Sequence, residues 1–305
     1  MDGEEAQKLT ARMKQWNIVS ITKEMSTYPP VLLEIKSPPH FFYAMGNLAL
    51  LEQSSLLGIV GPREMSPYAE RVMEALFEQA KGVAFTSISG MARGVDQKCH
   101  QLSLTGGIPT IAILGGGLRR YLRTGAQTFI EKIVAGGGLV FSEFKLDFQP
   151  TKWSFPQRNR LIAGLSKVLF LPEAREGSGS LITVNYALQM KKEVFVAPNQ
   201  LFSSNGKGSN QLLAEGKVRL LNDFSQLFAI FDKDLTKKQE ILTPIIDLTE
   251  KEKEVMQLVR HYVGQDFSEW NSQSGWEFGE LLSALTLLEM KGVVRQERPG
   301  WYKVK

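Results

Sequence analysis

The sequence predicts an α/β fold: a mainly parallel, Rossmann-like sheet with helices on both faces, followed by a small domain of winged-helix order. Three observations lead there. Short apolar runs alternate with amphipathic stretches of helical length from residue 55 to residue 221. The turns that follow those runs are rich in Gly, Ser and Arg. A charged, Pro-containing stretch at 232–248 then separates this region from a helix, helix, hairpin pattern.

The apolar runs are SLLGIVG (55–61), VAFTSIS (83–89), TIAILGG (110–116), LVFSEF (139–144), KVLFLPEA (167–174), EVFVAP (193–198) and VRLL (218–221). Between them, 66–81, 94–106, 124–136, 158–166, 180–191 and 208–215 have helical length and one apolar stripe. Strands that alternate with helices form βαβ units, and right-handed crossovers place the helices on both faces. Residues 1–50 are expected to be an extension packed on the core, because YPPVLLEIKSPPHFFYAMGN (28–47) is Pro- and aromatic-rich. The main domain then covers 51–231, a linker 232–248, and the small domain 249–305. In the last, Thr249 and Glu252 have capping-box spacing ahead of helix 250–263. A second helix spans 276–292, and VVRQERPGWYKV (293–304) is a two-strand hairpin.

Composition narrows the class. With 305 residues and 43% hydrophobic content, the chain can build one full core and a satellite. No apolar run reaches the roughly 18–20 residues that cross a bilayer, and the acidic start MDGEEAQKL lacks a secretory pattern. Cys99 is the single cysteine, which excludes an intrachain disulfide and a cysteine-based zinc site. A cytoplasmic protein with no membrane partner is expected. The net charge of +4 is unevenly spread: residues 249–305 hold eight Lys/Arg and nine Asp/Glu, so the basic surplus lies in the main domain.

Ligands of open parallel sheets bind beyond the carboxyl ends of the strands, so the turns after each strand carry the candidates. GPRE (61–64) puts Arg63 after a tight glycine turn. SGMARGVD (89–96) offers Ser89, Gly90 and Arg93 beside a helix start. Asp96 and His100 are spaced i, i+4 there and read as a structural hydrogen-bonding pair. GGGLRRYLR (115–123) is an anion-facing loop that includes Arg123. QPTKWSFPQRNR (149–160) holds Lys152, Phe155, Arg158 and Arg160: cations for a phosphate backbone around a ring on which a base can stack. EGSGSLIT (176–183) opens a helix, where Ser178 and Ser180 can cap it or donate to a phosphate. It is no Walker A loop, and it lacks the third glycine of a dinucleotide fingerprint. Each turn alone could be a solvated loop; together they suit a polyanion with bases attached.

The ordered set IVGPRE, SGMARGVDQKCH, TIAILGGGL, GLVFSEF, FPQRNRLIAGLS, LPEAREGSGSLIT and EVFVAPN resembles the DprA/Smf family, the DNA-processing protein A of bacteria, over about residues 28–222. The resemblance implies an extended Rossmann-like, mainly parallel sheet and a homodimer that binds single-stranded DNA in a basic pocket. It also implies protection of incoming strands in natural transformation, loading of the RecA recombinase, and no enzymatic activity or cofactor. By position it assigns DNA contacts to Arg63, Lys152 and Phe155, to Arg158, Asn159 and Arg160, and to the Ser178, Gly179, Ser180 turn; Ser89, Gly90, Arg93 and Arg123 complete the candidate set. The chain departs from the family in GPR for G-S/T-R, in YLRTGAQ after GGGL, and in APN for VPG. The tail resembles the winged-helix domain that ends many members. Its second helix carries Glu277, Glu280 and Glu289 against Lys291, which opposes phosphate and favours a packing or protein-contact role. Only the wing, with Arg295, Arg298 and Lys303, remains as a weak DNA contact. The rival reading is a nucleotide phosphoribohydrolase of the lysine-decarboxylase-like (LOG) type, with Glu143 and Glu173 as a carboxylate pair. Helix 181–190 lacks the glutamate that this rival requires.

Overall fold

Five short strands, buried on both faces along their whole length, carry the sheet: β3 (Leu56–Ile59), β4 (Thr86–Ser89), β5 (Thr110–Ile113), β6 (Leu139–Ser142) and β7 (Val168–Leu171). The computed structural model describes residues 13–231, 249–261, 275–291, 294–298 and 301–304. Apolar runs such as those of β3 and β7 are what a parallel sheet covered on both sides favours; in β4 the buried hydroxyls of Thr86, Ser87 and Ser89 are hydrogen-bonded instead, to Gln53, Thr110 and the Ile59 carbonyl. The nine strands lie in the order β1-β2-β6-β5-β4-β3-β7-β8-β9. β8 (Glu193–Val196) and β9 (Arg219–Leu220) extend the parallel set beyond β7.

The order explains where a ligand can enter. From β3 the chain steps outward through β4 and β5 to β6, by way of helices α2 (Pro67–Gln79), α3 (Val95–Thr105), the short α4 (Leu118–Leu122) and α5 (Gln127–Ala135). Helix α6 (Ser154–Leu165) then brings it back to the other side of β3, where β7 pairs in parallel through Gly58 and Leu169. Helices α7 (Gly179–Gln189) and α8 (Lys207–Ala214) continue in the opposite direction. The direction of winding thus reverses between β3 and β7, and a crevice opens beyond their carboxyl ends.

The core divides by strand periodicity. Leu169 and Leu171 pack with Leu161 and Ile162 of α6 and Val184 of α7, whereas Val168 and Phe170 pack with Met73 of α2 and Cys99 of α3. The segment 28–47, expected as an extended stretch lying on the core, becomes part of the sheet. After helix α1 (Pro30–Leu33), β2 (Phe41–Gly46) pairs antiparallel with β6, and β1 (Val19–Thr22) pairs antiparallel with β2. Tyr28 anchors the lead-in by donating its hydroxyl to the Pro39 carbonyl at 2.7 Å.

The chain divides into two compact units at Lys237/Lys238; the expected linker 232–248 lies outside the described residues. The second unit has helices α9 (Glu250–His261) and α10 (Phe278–Met290), then strands β10 (Val294–Arg298) and β11 (Trp301–Val304), which pair antiparallel. The capping box forms: the Thr249 amide donates to Glu252 Oε2 at 2.7 Å, and the Glu252 amide to Thr249 Oγ1 at 3.3 Å. Val255, Val259, Leu281, Leu285 and Leu288 make its core. Glu277, Glu280 and Glu289 are exposed, and the side chains of Arg295, Arg298 and Lys303 lie outside the described residues.

One buried polar group gives the main unit a pH dependence. His100 of α3 is fully buried, and its Nδ1 lies 2.7 Å from Thr110 Oγ1. Burial, reinforced by the charge of Arg158, pushes its pKa down to about 3. The folded chain therefore holds His100 neutral while the unfolded chain protonates it below about 6.5. Its contribution to stability is complete above that pH and is lost progressively as the pH falls toward 3. Burial pushes the Asp96 carboxyl the other way, so the raw pH curve mixes both groups. Urea unfolding of the wild type and His100→Asn at pH 7 and pH 5 isolates the histidine: the wild type should lose up to about 2 kcal/mol more than the variant over that interval.

Candidate nucleic-acid interface

A cavity of about 380 Å³ occupies the crevice between the ends of β3 and β7. Its walls come from separate stretches of sequence. The turn after β3 supplies Gly61, Pro62 and Arg63; the lead-in to α6 supplies Lys152 and its first half Phe155, Arg158 and Asn159; the start of α7 supplies Ser178, Gly179 and Ser180. Asp96 of α3 closes one side.

The placement of Phe155 begins with its neighbour. Ser154 is fully buried; its hydroxyl donates to the Gly115 carbonyl at 2.5 Å and accepts the Thr151 amide at 3.0 Å. This pins the start of α6 to the turn after β5. A Cβ on Gly115 would stand 2.7 Å from Phe155 Cδ1, so the ring seats only because that residue is glycine. The next two glycines abut Pro150 and the backbone of Lys145 and Leu146. The triple glycine, expected to bring backbone toward an anion, instead accommodates the segment that carries the aromatic.

Arg63 lies with its guanidinium carbon 4.9 Å from the centroid of the Phe155 ring, a cation–π contact worth about 0.5–1 kcal/mol at an exposed position. Arg63 and Lys152 are both exposed, and neither makes an ion pair among the described residues. Ser178 caps α7 and accepts the Ser180 amide at 3.4 Å. The positive end of that helix therefore borders the cavity that Arg63 and Lys152 also line. An anion entering here meets three sources of positive potential and one aromatic ring.

Other candidates are drawn inward and spend their polar groups on protein partners. Arg158 is 2% exposed. Its Nη1 donates to the carbonyls of Gly90 and Ile113, and its Nε donates to Asn159 Oδ1 at 3.1 Å. A Cβ on Gly90 would lie 2.5 Å from that guanidinium, so this glycine serves the arginine. Burial pushes the Arg158 pKa down and that of Asp96 up, and each charge partly offsets the shift of the other. Asp96 also accepts the Ala92 amide at 3.3 Å. Ser89 is buried and donates to the Ile59 carbonyl at 2.6 Å. Arg160 makes a bidentate pair with Glu143 at 2.8 and 2.6 Å, with both side chains largely shielded. Arg93 and Arg123 are exposed but do not line the cavity.

The two carboxylates of the rival reading are also committed. Glu143 holds Arg160. Glu173 is fully buried and accepts the Ser66 amide at 2.8 Å and the Ser66 hydroxyl at 2.5 Å, at the start of α2. Reading the sequence missed Ser154 and the wall formed by Asp96. A serine inside an aromatic–proline motif was the one available hint of the first.

Residues 19–232 match the family described as DNA recombination-mediator protein A. The chain belongs to that family. It is 32% identical to the DNA processing protein DprA of Bacillus subtilis over 68% of this chain and 70% of that protein. To protein Smf of Escherichia coli it is 36% identical, over 68% of this chain and 55% of the relative. For protein Smf of Synechocystis the figures are 34%, 75% and 59%. The match thus spans little more than half the length of both Smf proteins. Among solved structures, DprA of Streptococcus pneumoniae superposes with a TM-score of 0.64 at 31% identity, covering 73% of this chain and 78% of that one. The DNA processing protein A of Helicobacter pylori gives 0.63 at 28% identity, covering 72% and 97%; that structure describes a single-stranded DNA binding mode. Both likenesses bear out the mixed, mainly parallel α/β fold expected for the recombination-mediator family.

The division between buried and exposed cations has a measurable consequence. Arg158→Ala should lower unfolding free energy by about 2–5 kcal/mol, because it strands two buried carbonyls and the Asp96 charge. Lys152→Ala should leave stability within about 0.5 kcal/mol. Chemical denaturation of the two variants tests the contrast; similar losses for both would mean that Lys152 also has a structural role.

Proposed function

We propose that this chain binds single-stranded DNA, without base-sequence preference, in the cavity at the β3–β7 switch point. The observation that carries this reading is convergence. Arg63 comes from the turn after β3, Lys152 and Phe155 from the lead-in and start of α6, and the two stretches meet at one opening beside the amino end of α7. Arg63 and Lys152 hold phosphates, and the α7 turn at Ser178–Ser180 adds amide donors. Phe155 stacks a base, a contact worth about 1–3 kcal/mol and tolerant of sequence because every base has a π face. Duplex DNA hides its base faces, so the ring favours unpaired strands. Family membership and the single-stranded DNA binding mode of the Helicobacter pylori relative support the same reading.

Within it, the chain is a non-enzymatic, cytoplasmic homodimer that protects strands during recombination or natural transformation and delivers them to a RecA-type recombinase. The commitment of Glu143 and Glu173 to internal partners supports a binding role over nucleotide hydrolysis. Incubation with AMP should accordingly release no base. The helix–helix–hairpin order of the second unit supports a winged-helix domain, and the exposed glutamates of α10 suit a protein contact better than a phosphate one.

Gel shifts with a single-stranded oligonucleotide test the site. The Arg63→Ala/Lys152→Ala double variant should lose the shift while keeping its thermal melt; wild-type binding by that variant would overturn the proposal. Each lost phosphate contact should also flatten the slope of log K against log salt by about 0.7.

A further inference from the structure

We propose that Trp153 is a second stacking platform, which takes another base of the same strand outside the cavity while neighbouring cations hold the intervening phosphates. The inference rests on the reading of the Phe155 cavity as a single-stranded DNA site and adds a direction to it. Trp153 is 56% exposed, immediately follows Lys152 and precedes the pinned Ser154. A lone exposed tryptophan needs no explanation, but this one is mounted. Its ring stands edge-to-face against Phe144 and Phe148, with centroids 5.8 and 5.6 Å away, and those two rings stack on each other at 4.9 Å. The segment beneath is fixed in turn. The Phe148 carbonyl accepts the Gly117 amide at 2.9 Å, and the Leu146 carbonyl accepts the Arg120 amide at 3.1 Å. A large ring held rigid, with more than half its surface open, is pre-organised for a partner and loses little freedom on binding.

The chemistry around it selects the partner. Lys152 lies on one side of Trp153 in sequence, and Lys145 adjoins Phe144 under its ring. Arg120 is hydrogen-bonded through its backbone to the same platform. All three are exposed, and none makes an ion pair among the described residues. The local carboxylate, Asp147, is held by Arg119. Unpaired cations interleaved with an open aromatic ring match a strand of phosphates and bases; an apolar protein surface would leave those charges unmatched. A strand leaving Phe155 past Lys152 would therefore run over Trp153 toward α4. This gives the glycine–arginine loop a role that its glycines, occupied with packing, do not supply.

Oligothymidylates of increasing length provide the test, with the full chain and the variants Trp153→Ala and Trp153→Phe. For Trp153→Ala, affinity should drop about five- to 150-fold for long oligonucleotides. It should stay at the wild-type value for oligonucleotides too short to leave the cavity. Trp153→Phe should recover most of the loss. Saturating a long oligonucleotide should also quench tryptophan fluorescence in the wild type more than in Trp153→Phe, a readout that survives if the alanine variant folds poorly. Wild-type affinity of Trp153→Ala at every length, equal weakening at every length, or equal quenching in wild type and Trp153→Phe would each overturn the platform. The Arg63→Ala/Lys152→Ala variant separates the two levels. Wild-type binding there removes the cavity reading, whereas its loss with an unaffected Trp153→Ala removes this inference alone.

Discussion

The buried guanidinium of Arg158 is the constraint on which the site depends. It reaches from α6 to the carbonyls of Gly90 and Ile113, at the ends of β4 and β5, and so fixes the helix against the rim of the sheet. Taking such a charge out of water costs several kcal/mol, and the cost is offset only if its donors are used and a counter-charge is near. Both conditions hold here, through the carbonyls, Asn159 and Asp96. An arginine suits the position because its planar fork presents several donors in fixed directions; a lysine would offer a mobile point charge. With α6 held in this way, Lys152 and Phe155 at its leading end have a defined place to stand.

Around that strut the cations have separate duties. Arg158 and Arg160 are shielded and satisfied by protein groups, whereas Arg63 and Lys152 are open and carry no carboxylate partner among the described residues. The buried charge still acts on its surroundings: it helps hold His100 neutral and opposes the upward shift of Tyr121. Through the low-dielectric floor of the cavity it also adds to the field felt by an entering phosphate. One residue thus serves stability and electrostatics from within the wall of the cavity.

This division marks where the sequence is legible and where it is not. Most of the seven parallel strands can be read from apolar runs, because burial on both faces favours apolar residues; β4, with Thr86, Ser87 and Ser89, and the exposed β9 are read from their place in the alternation. The edge strands β1 and β2 escape that signal: FFYAMG follows Pro38 and Pro39, and its role depends on pairing with β6 far along the chain. Within the site, Arg63, Lys152 and Phe155 are recoverable from their positions after strands and at a helix start. The inward turn of Arg158 is not, since residue type carries no information about direction, and the carbonyls that receive it come from two other motifs. The same holds for Gly90 and Gly115. Each looks like a flexible turn residue in sequence, and each proves to be a space that a side chain fills.

On the proposed reading, the rigidity of this arrangement suits the ligand. A single strand is disordered before it binds, so it loses conformational freedom in the encounter, and any freedom lost by the protein adds to that cost. Ser154, Gly115 and Arg158 reduce the second contribution by ordering α6 and its aromatic within the fold itself. Arg63 and Lys152 are long and exposed, which suits groups that must follow phosphates of variable spacing. Arg63 rests on Phe155 in the free protein, so the face it covers opens to a base only when the guanidinium moves. A phosphate arriving beside the ring supplies the stronger, charge-assisted partner that draws it away. On the proposed reading, phosphate capture and base stacking are coupled through this one side chain, and a strand that offers both gains more than either group would alone.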